Sequence, residues 1–393
     1  MSVLHVVAFA GSRGEFGGPV SVAEAHAREL LQRGHSVLVT GLRRGPEQTP
    51  AGLTSAQWRT FPARRVVPRS GMLGLSSARF LRFLWSAVRR VDVVHVHAGR
   101  DLVSLSALLV ARLRAVPVVA QTHGMVLPRR HLRARLFDPV FLRLMRHAHA
   151  VFFMTQGEHD DLRTQLGPSA RLRFLGNGVE LPTPRPRRGS GEPPMVLFLA
   201  RLHPVKRVAA FAEMAAVLAR RGIAARYRVH GPDQGDLATL HRLVKHHGLD
   251  NVLAYGGALS HDEALAALHD SAVYVLPSSA DWMPMSLLEA LAAGVPSVCT
   301  DSCGLAVDLH EAGAAVVTDG SPESLADAVG HILLDPPFRR KLSRAAREVV
   351  SQRYSVGAVV DELERVYAEA RIPVKTSVTS RSTPPVIDRY FLE

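Results

Sequence analysis

The sequence predicts an α/β protein of two Rossmann-like, parallel-sheet domains that face each other across a cleft. Three observations carry that expectation. At 393 residues the chain exceeds what one compact core serves, since single cores stop growing near ~250–300 residues. Short β-rich runs alternate with segments of helical period, the pattern of a parallel sheet covered on both faces. The alternation breaks at residues 181–194, where five prolines, three arginines and two glycines fall within fourteen positions, a composition that supports neither a helix nor a central strand. It then restarts. The expected division is a first domain at 1–180, a linker at 181–194, a second domain at 195–372 and a tail at 373–393.

The elements follow in order. Residues 3–9 form a β-rich run, then come a glycine-rich turn (Gly11, Gly14, Gly17, Gly18) and apolar positions of helical period at 20–31. Strand-like runs at 36–40, 92–96, 116–121 and 151–154 alternate with helical segments near 78–88, 102–113 and 133–146. Past the linker, runs at 196–199, 227–230, 252–255, 273–276, 297–300 and 314–318 read as strands, with helices filling 208–220, 238–247, 262–269 and 285–293. From Pro322 the chain reads as helical, in segments ending near 334, 352 and 371. No repeat is visible beyond this doubling. Parallel sheets bind ligands outside the carboxyl ends of their strands, so the site is expected in the cleft between the two halves.

Composition narrows the class. Hydrophobic residues make up 47% and charged residues 21%, the proportions of an ordinary folded protein. The two cysteines, Cys299 and Cys303, are too few for a disulfide scaffold and lack a CxxC spacing. The first eleven residues read as a strand rather than a signal peptide, and the longest uncharged apolar stretch, residues 102–111, is far short of a membrane span. A reduced, cytoplasmic chain is expected. The formal charge of +13 is uneven: residues 1–200 hold 28 Lys+Arg against 12 Asp+Glu, and residues 201–393 hold 20 against 23. Between Arg59 and Arg146 there are 17 arginines and three acids, a field that attracts anionic lipid or phosphate. The segment 78–90, with Phe80, Phe83, Leu84 and Trp85 among arginines, reads either as a helix lying on an anionic membrane surface or as an ordinary packed helix. Nucleic acid is not expected as a partner, because the basic charge comes without an aromatic platform or a recognised module.

The residues with chemical potential cluster at expected strand ends. After the strand at 273–276 comes Asp281, then Pro284 opening a helix whose first amides, at Met285 and Ser286, form an anion site. Glu289, one and a half turns inside, is placed to accept hydrogen bonds from ribose hydroxyls, or is simply an acid on a solvated helix face. Asp281 itself reads as a working carboxylate or as a helix-start cap. Arg201 and Lys206 follow the strand at 196–199 and suit a diphosphate. Gly17 and Gly18 let backbone approach a ligand closely, or make a plain turn. Their spacing is not G-x-G-x-x-G, which disfavours a dehydrogenase. His123 follows the strand at 116–121, at the cleft edge. His95 and His97 flank Val96 and are expected to face opposite sides of the sheet, so no metal site is anticipated there.

Several of these segments resemble one family. The span from Asp281 to Glu289 with the following Ala-x-Ala-x-Gly-x-Pro run resembles the E-x7-E signature of retaining GT-B glycosyltransferases, family 4. Residues 200–206 are similar to its G-R-L-x-x-x-K diphosphate element, Gly17-Gly18-Pro19 to its N-terminal glycine loop, His123-Gly124 to its acceptor-domain His-Gly, and Asn177-Gly178-Val179 to the N-G-V before its linker. These occur in the family's order over residues 4–367. The resemblance implies transfer of a hexose-type unit from a nucleoside-diphosphate sugar to an acceptor hydroxyl (on a sugar, glycolipid or small molecule) with retention of configuration. It implies no side-chain nucleophile, with His123 beside the donor sugar in a positioning and charge-stabilising role. No metal is expected, since no Asp-x-Asp motif or His/Asp cluster suggests one, and no cofactor beyond the donor substrate. Asp281 stands where the family usually has Glu, and Met283 and Met285 depart from its usual residues. Two rival readings are an epimerase or hydrolase acting on the nucleotide sugar alone, and a non-catalytic scaffold that binds it.

Overall fold

The structure, a computed structural model, describes residues 1–10, 17–46, 48–67, 73–128, 132–182 and 193–372. Gly11 and Gly14, most of the linker assigned to 181–194, and the tail at 373–393 lie outside the described residues.

In the first half the elements run β1 (Ser2–Ala10), α1 (Gly17–Gln32), β2 (Ser36–Arg43), β3 (Trp58–Pro62), the short pair β4 (Arg64–Arg65) and β5 (Leu75–Ser76), α2 (Ala78–Ala87), β6 (Val93–His97), α3 (Leu102–Leu113), β7 (Val118–Gln121), α4 (Leu132–Arg146), β8 (Ala150–Phe153), α5 (Gln156–Leu166) and β9 (Leu172–Phe174). Seven of these strands form one sheet in the order β3-β2-β1-β6-β7-β8-β9, and every pairing in it is parallel. All five residues of β6 are buried. Such a strand must be apolar on both faces or carry buried polar groups that find partners.

The second half runs β10 (Met195–Leu199), α6 (Val208–Arg220), β11 (Arg226–His230), α7 (Leu237–His246), β12 (Leu253–Tyr255), α8 (His261–Asp270), β13 (Val273–Leu276), α9 (Met285–Ala292), β14 (Ser297–Thr300), α10 (Ala306–Glu311), β15 (Val316–Thr318), α11 (Pro322–Leu334), α12 (Pro336–Val349), a π-helical turn (Val350–Tyr354) and α13 (Val356–Arg371). Its six-stranded sheet has the order β12-β11-β10-β13-β14-β15. In both sheets the strand order reverses once, between β1 and β6 and between β10 and β13, and such reversals open a crevice at the carboxyl end of an α/β sheet.

Packing does not follow the chain at its end. Helix α13, counted with the second domain on sequence, buries Val359, Val360, Leu363, Val366 and Tyr367 against Val3, Val7, Ala27 and Leu30 of the first. Ion pairs seal the rim: Arg33 meets Asp361 at 2.5 Å and Glu364 at 2.6 Å, and Arg173 meets Glu369 at 2.9 Å. The chain therefore crosses between domains twice, and the crossings are zipped together. Val179 donates its N–H to the Tyr354 carbonyl at 2.8 Å, and Val356 donates to the Val179 carbonyl at 3.0 Å.

Helix α2 settles into the core, with Phe80 and Leu84 fully buried. An interfacial helix would have to offer both to lipid. Its outward face keeps Leu81, Trp85 and arginines, and the Arg114 guanidinium lies 3.6 Å over the Trp85 ring. Among the described residues no helix is long and apolar enough to cross a membrane.

Candidate active site

The strand ends flanking the second domain's reversal point carry the expected cations and acid. Arg201 follows β10, is exposed, and donates to Gln234 Oε1 at 3.0 Å. Lys206 ends a single 3-10 turn, Pro204–Lys206, which folds it back to the loop after β13. There its Nζ forms an ion pair with Asp281 Oδ2, both side chains being about 15% exposed. Ser278 Oγ lies 3.4 Å from the same oxygen. The structure thus brings Lys206 and Asp281 together, while Arg201 stands apart at the rim.

Asp281 is not a helix cap. The residue preceding α9 is Pro284, with no side-chain cap, so the first amides of the helix, at Met285 and Ser286, are left without an intrahelical partner, as at any helix start. Ser286 Oγ bonds the Tyr274 hydroxyl at 2.7 Å. Glu289 is half-buried beneath the exposed His261 at 3.8 Å, and burial raises its carboxyl above the usual range.

Across the cleft, His123 adopts a left-handed φ of 50°, a conformation that costs a non-glycine residue energy and persists only where neighbours impose it. Glu158 is the neighbour. Its buried carboxylate accepts from Gly124 N at 2.6 Å, Thr122 Oγ1 at 2.5 Å and Met154 N at 2.8 Å. Sequence reasoning did not single out Glu158, because an acid one turn into a polar helix looks like a solvated one.

The domains meet at Trp282, whose indole lies against both Gly124 and Gly157. The Asp281 loop is thereby pressed on the His123 turn. Gly304 allows this approach, since a side chain there would sit 2.1 Å from the Trp282 carbonyl oxygen and 2.6 Å from the Thr155 methyl. Asn177 N donates to Met283 Sδ at 2.9 Å beside the same contact. Gly17 and Gly18 open α1, and among the described residues nothing fills the space a side chain at Gly18 would take.

Behind His123 the structure corrects the sequence reading. His95 and His97 are two residues apart on one strand and therefore share a face. They stack at 4.6 Å between ring centroids, beside His5 of β1 and His26 of α1. His97 Nδ1 bonds His123 Nε2 at 2.9 Å, and its Nε2 bonds His5 Nδ1 at 3.0 Å. Burial lowers the His123 imidazole to about 3, so it is neutral near pH 7 and offers a hydrogen bond rather than a fixed positive charge.

Residues 16–182 match the model of Glycosyltransferase Family 4, and residues 183–349 match that of Glycosyl transferases group 1. The chain belongs to the family 4 glycosyltransferases. Alpha-D-kanosaminyltransferase of Streptomyces kanamyceticus is 28% identical over 303 residues, covering 70% of this chain and 77% of that one. The GDP-mannose-dependent alpha-(1-6)-phosphatidylinositol monomannoside mannosyltransferase of Mycobacterium tuberculosis is 28% identical over 274 residues, covering 63% and 69%. In shape, this glycosyltransferase matches Anabaena HepE solved in complex with UDP, with a TM-score of 0.72 at 16% identity over 94% of this chain and 100% of that one. The fold is the two-domain GT-B architecture. At the glycosyltransferase cleft, Arg201, Lys206 and Asp281 lie in the loops that follow β10 and β13 of the second sheet, and Glu289 lies inside α9, the helix after β13.

Proposed function

We propose that the chain moves a hexose-type unit from a nucleoside-diphosphate sugar to an acceptor hydroxyl with retention of configuration, without a cofactor. The observation that carries this reading is the Lys206–Asp281 pair at the strand-order reversal, beside the start of α9 and pressed through Trp282 against the His123 turn. An ammonium has three donors, so Lys206 can hold Asp281 and still donate to a phosphate oxygen. The free amides of Met285 and Ser286 favour the same anion, and Arg201 at the rim adds a second cation as charge develops on the leaving diphosphate. Glu289 is positioned for the ribose. Its raised protonation range suits a carboxyl that meets hydroxyl groups in a partly dry site. His123, fixed by Glu158 and with Nε2 engaged by His97, has Nδ1 left for a hydroxyl of the sugar or acceptor.

The relatives fit this class: one is named for transfer of a kanosaminyl group, another for dependence on GDP-mannose. A thermal-shift panel of nucleoside diphosphates names the base, since a ligand at 100 times its Kd stabilises by about 2.7 kcal/mol. Transfer is then assayed with that donor class, and the anomeric configuration of the product is read by proton NMR. Lys206→Ala is expected to lower kcat/KM by about 30- to 1000-fold, the loss of about 2–4 kcal/mol of charge stabilisation. Asp281→Asn is expected to lower turnover about tenfold. Activity within threefold of the parent in both variants would overturn the assignment. An inverted product would overturn retention, and product from the donor without acceptor would favour an epimerase or hydrolase.

A further inference from the structure

We infer that His5, His26, His95 and His97 form a binding site for one divalent transition-metal ion of the zinc type, buried between the first sheet and α1. One ligand nitrogen from each ring lies within 4.8 Å of all the others, and the four side chains are at most 1% exposed. In register, His5 of β1 stands opposite His95 of β6, and His26 closes the group from α1 with ring centroids 6.1 Å from both.

Hydrogen bonding among the described residues leaves this group unfinished. His5 Nε2, His95 Nε2 and both nitrogens of His26 are buried without a partner, as is the amide of the neighbouring Gln121. Native interiors rarely leave such atoms unpaired. Protonation is no remedy, because four imidazolium ions would then be enclosed together, and burial in fact holds all four rings well toward the neutral form. Neutral imidazoles present lone pairs, and imidazole suits zinc, copper and nickel.

The outer contacts are those of metal-ligating histidines, which usually engage the second ring nitrogen in a hydrogen bond. His95 Nδ1 bonds the Tyr367 hydroxyl at 2.6 Å, and His5 Nδ1 bonds His97. His5, His26 and His95 can therefore ligate without breaking a bond, and His97 joins by releasing His5. Zinc–nitrogen bonds of about 2.0–2.1 Å put tetrahedral ligands roughly 3.4 Å apart, so ligand nitrogens that now lie within 4.8 Å of one another close in by up to about 1.4 Å. Four protein ligands leave no open position, which marks a structural centre rather than a reactive one. It would tie β1, β6 and α1 together directly behind His97 and His123. The inference does not depend on the proposed transfer reaction.

The test uses the full chain without a polyhistidine tag, stripped with chelator, loaded with zinc chloride, and passed through gel filtration. The expected result is about one zinc retained per chain and a zinc-dependent rise in melting temperature. His26→Gln and His95→Gln should each lower retained zinc at least tenfold, while the surface variant His310→Gln retains it. Cobalt chloride provides a readout that needs no variant, because the parent should show the visible absorption of tetrahedral nitrogen ligation. A stripped parent that takes up neither ion, or His26→Gln and His95→Gln chains that retain zinc as the parent does, would overturn the site and leave a hydrated cluster of neutral histidines.

Discussion

Acidification from pH 7 to pH 5, with chelator present, should unfold this protein far more readily than its charge alone suggests. His26 is fully buried, and desolvation lowers its protonation to about 3 from an ordinary value near 6.5. Between those two values the unfolded chain binds a proton that the folded chain refuses. The stabilisation is therefore complete above pH 6.5 and is lost as the pH falls. Over pH 7 to 5 one such histidine costs about 1.9 kcal/mol. His123, lowered to about 3 as well, adds up to about 1.9 kcal/mol, and His5, His95 and His97 are enclosed and shifted in the same direction, which deepens the loss. Asp101 works against them. Burial raises its carboxyl to about 6, so the folded state binds that proton more tightly and regains about 1.3 kcal/mol over the same interval. The net loss from His26, His123 and Asp101, about 2.5 kcal/mol before the other three histidines are counted, is already a large part of the stability of many proteins. Urea unfolding followed by circular dichroism at pH 7, 6 and 5 measures it, and His26→Gln should remove about 1.9 kcal/mol of the pH dependence. A change below 2 kcal/mol across the range, or a His26→Gln slope equal to the parent's, would refute the reasoning.

Three further expectations concern other parts of the molecule. Glu158→Ala strands three donors around the His123 turn, and should cost about 3 kcal/mol in stability by urea titration and more than tenfold in transfer rate. Gly231→Ala should lower stability by more than 2 kcal/mol, because its φ is +143° and a side chain there would stand 1.9 Å from the Ala200 carbonyl oxygen; an unchanged melting temperature would contradict it. If the arginine-rich first domain meets an anionic surface, the chain should co-sediment with anionic but not neutral vesicles, and less so as salt rises; loss of binding in Trp85→Ala would place the contact on the outward face of α2.

Much of the architecture was legible because the central strands are apolar runs bounded by glycine and proline, and their helices carry a clear period. The elements left unread are those without such a pattern. Helix α5, QGEHDDLRTQL, is largely polar and buries little beyond Glu158, Leu162 and Leu166. Strand β9 has three residues, none of them buried. The position of α13 was illegible for another reason: its apolar face is evident, but a face does not say which sheet receives it. In the site, Lys206 and Asp281 were each visible by type and spacing, yet their pairing depends on a 3-10 turn that folds Lys206 back 75 residues away. The histidine cluster needed the strand order, since only the β1–β6 neighbourhood sets His5 opposite His95, and it also needed the alternation of strand faces to be counted correctly.

The doubled crossing near Val179 and Ser355 has a mechanical consequence. A single strand joining two bodies acts as a pivot point and permits rotation in every direction. Two crossings lying side by side and bonded to each other define a line. The domains should then swing mainly about that line, as a door does, so that opening the cleft lifts Trp282 from Gly124 and Gly157 along one arc rather than letting the halves slip sideways. A fragment ending before α13 would lose the door's second pin, and with it the register between the His123 turn and the Asp281 loop.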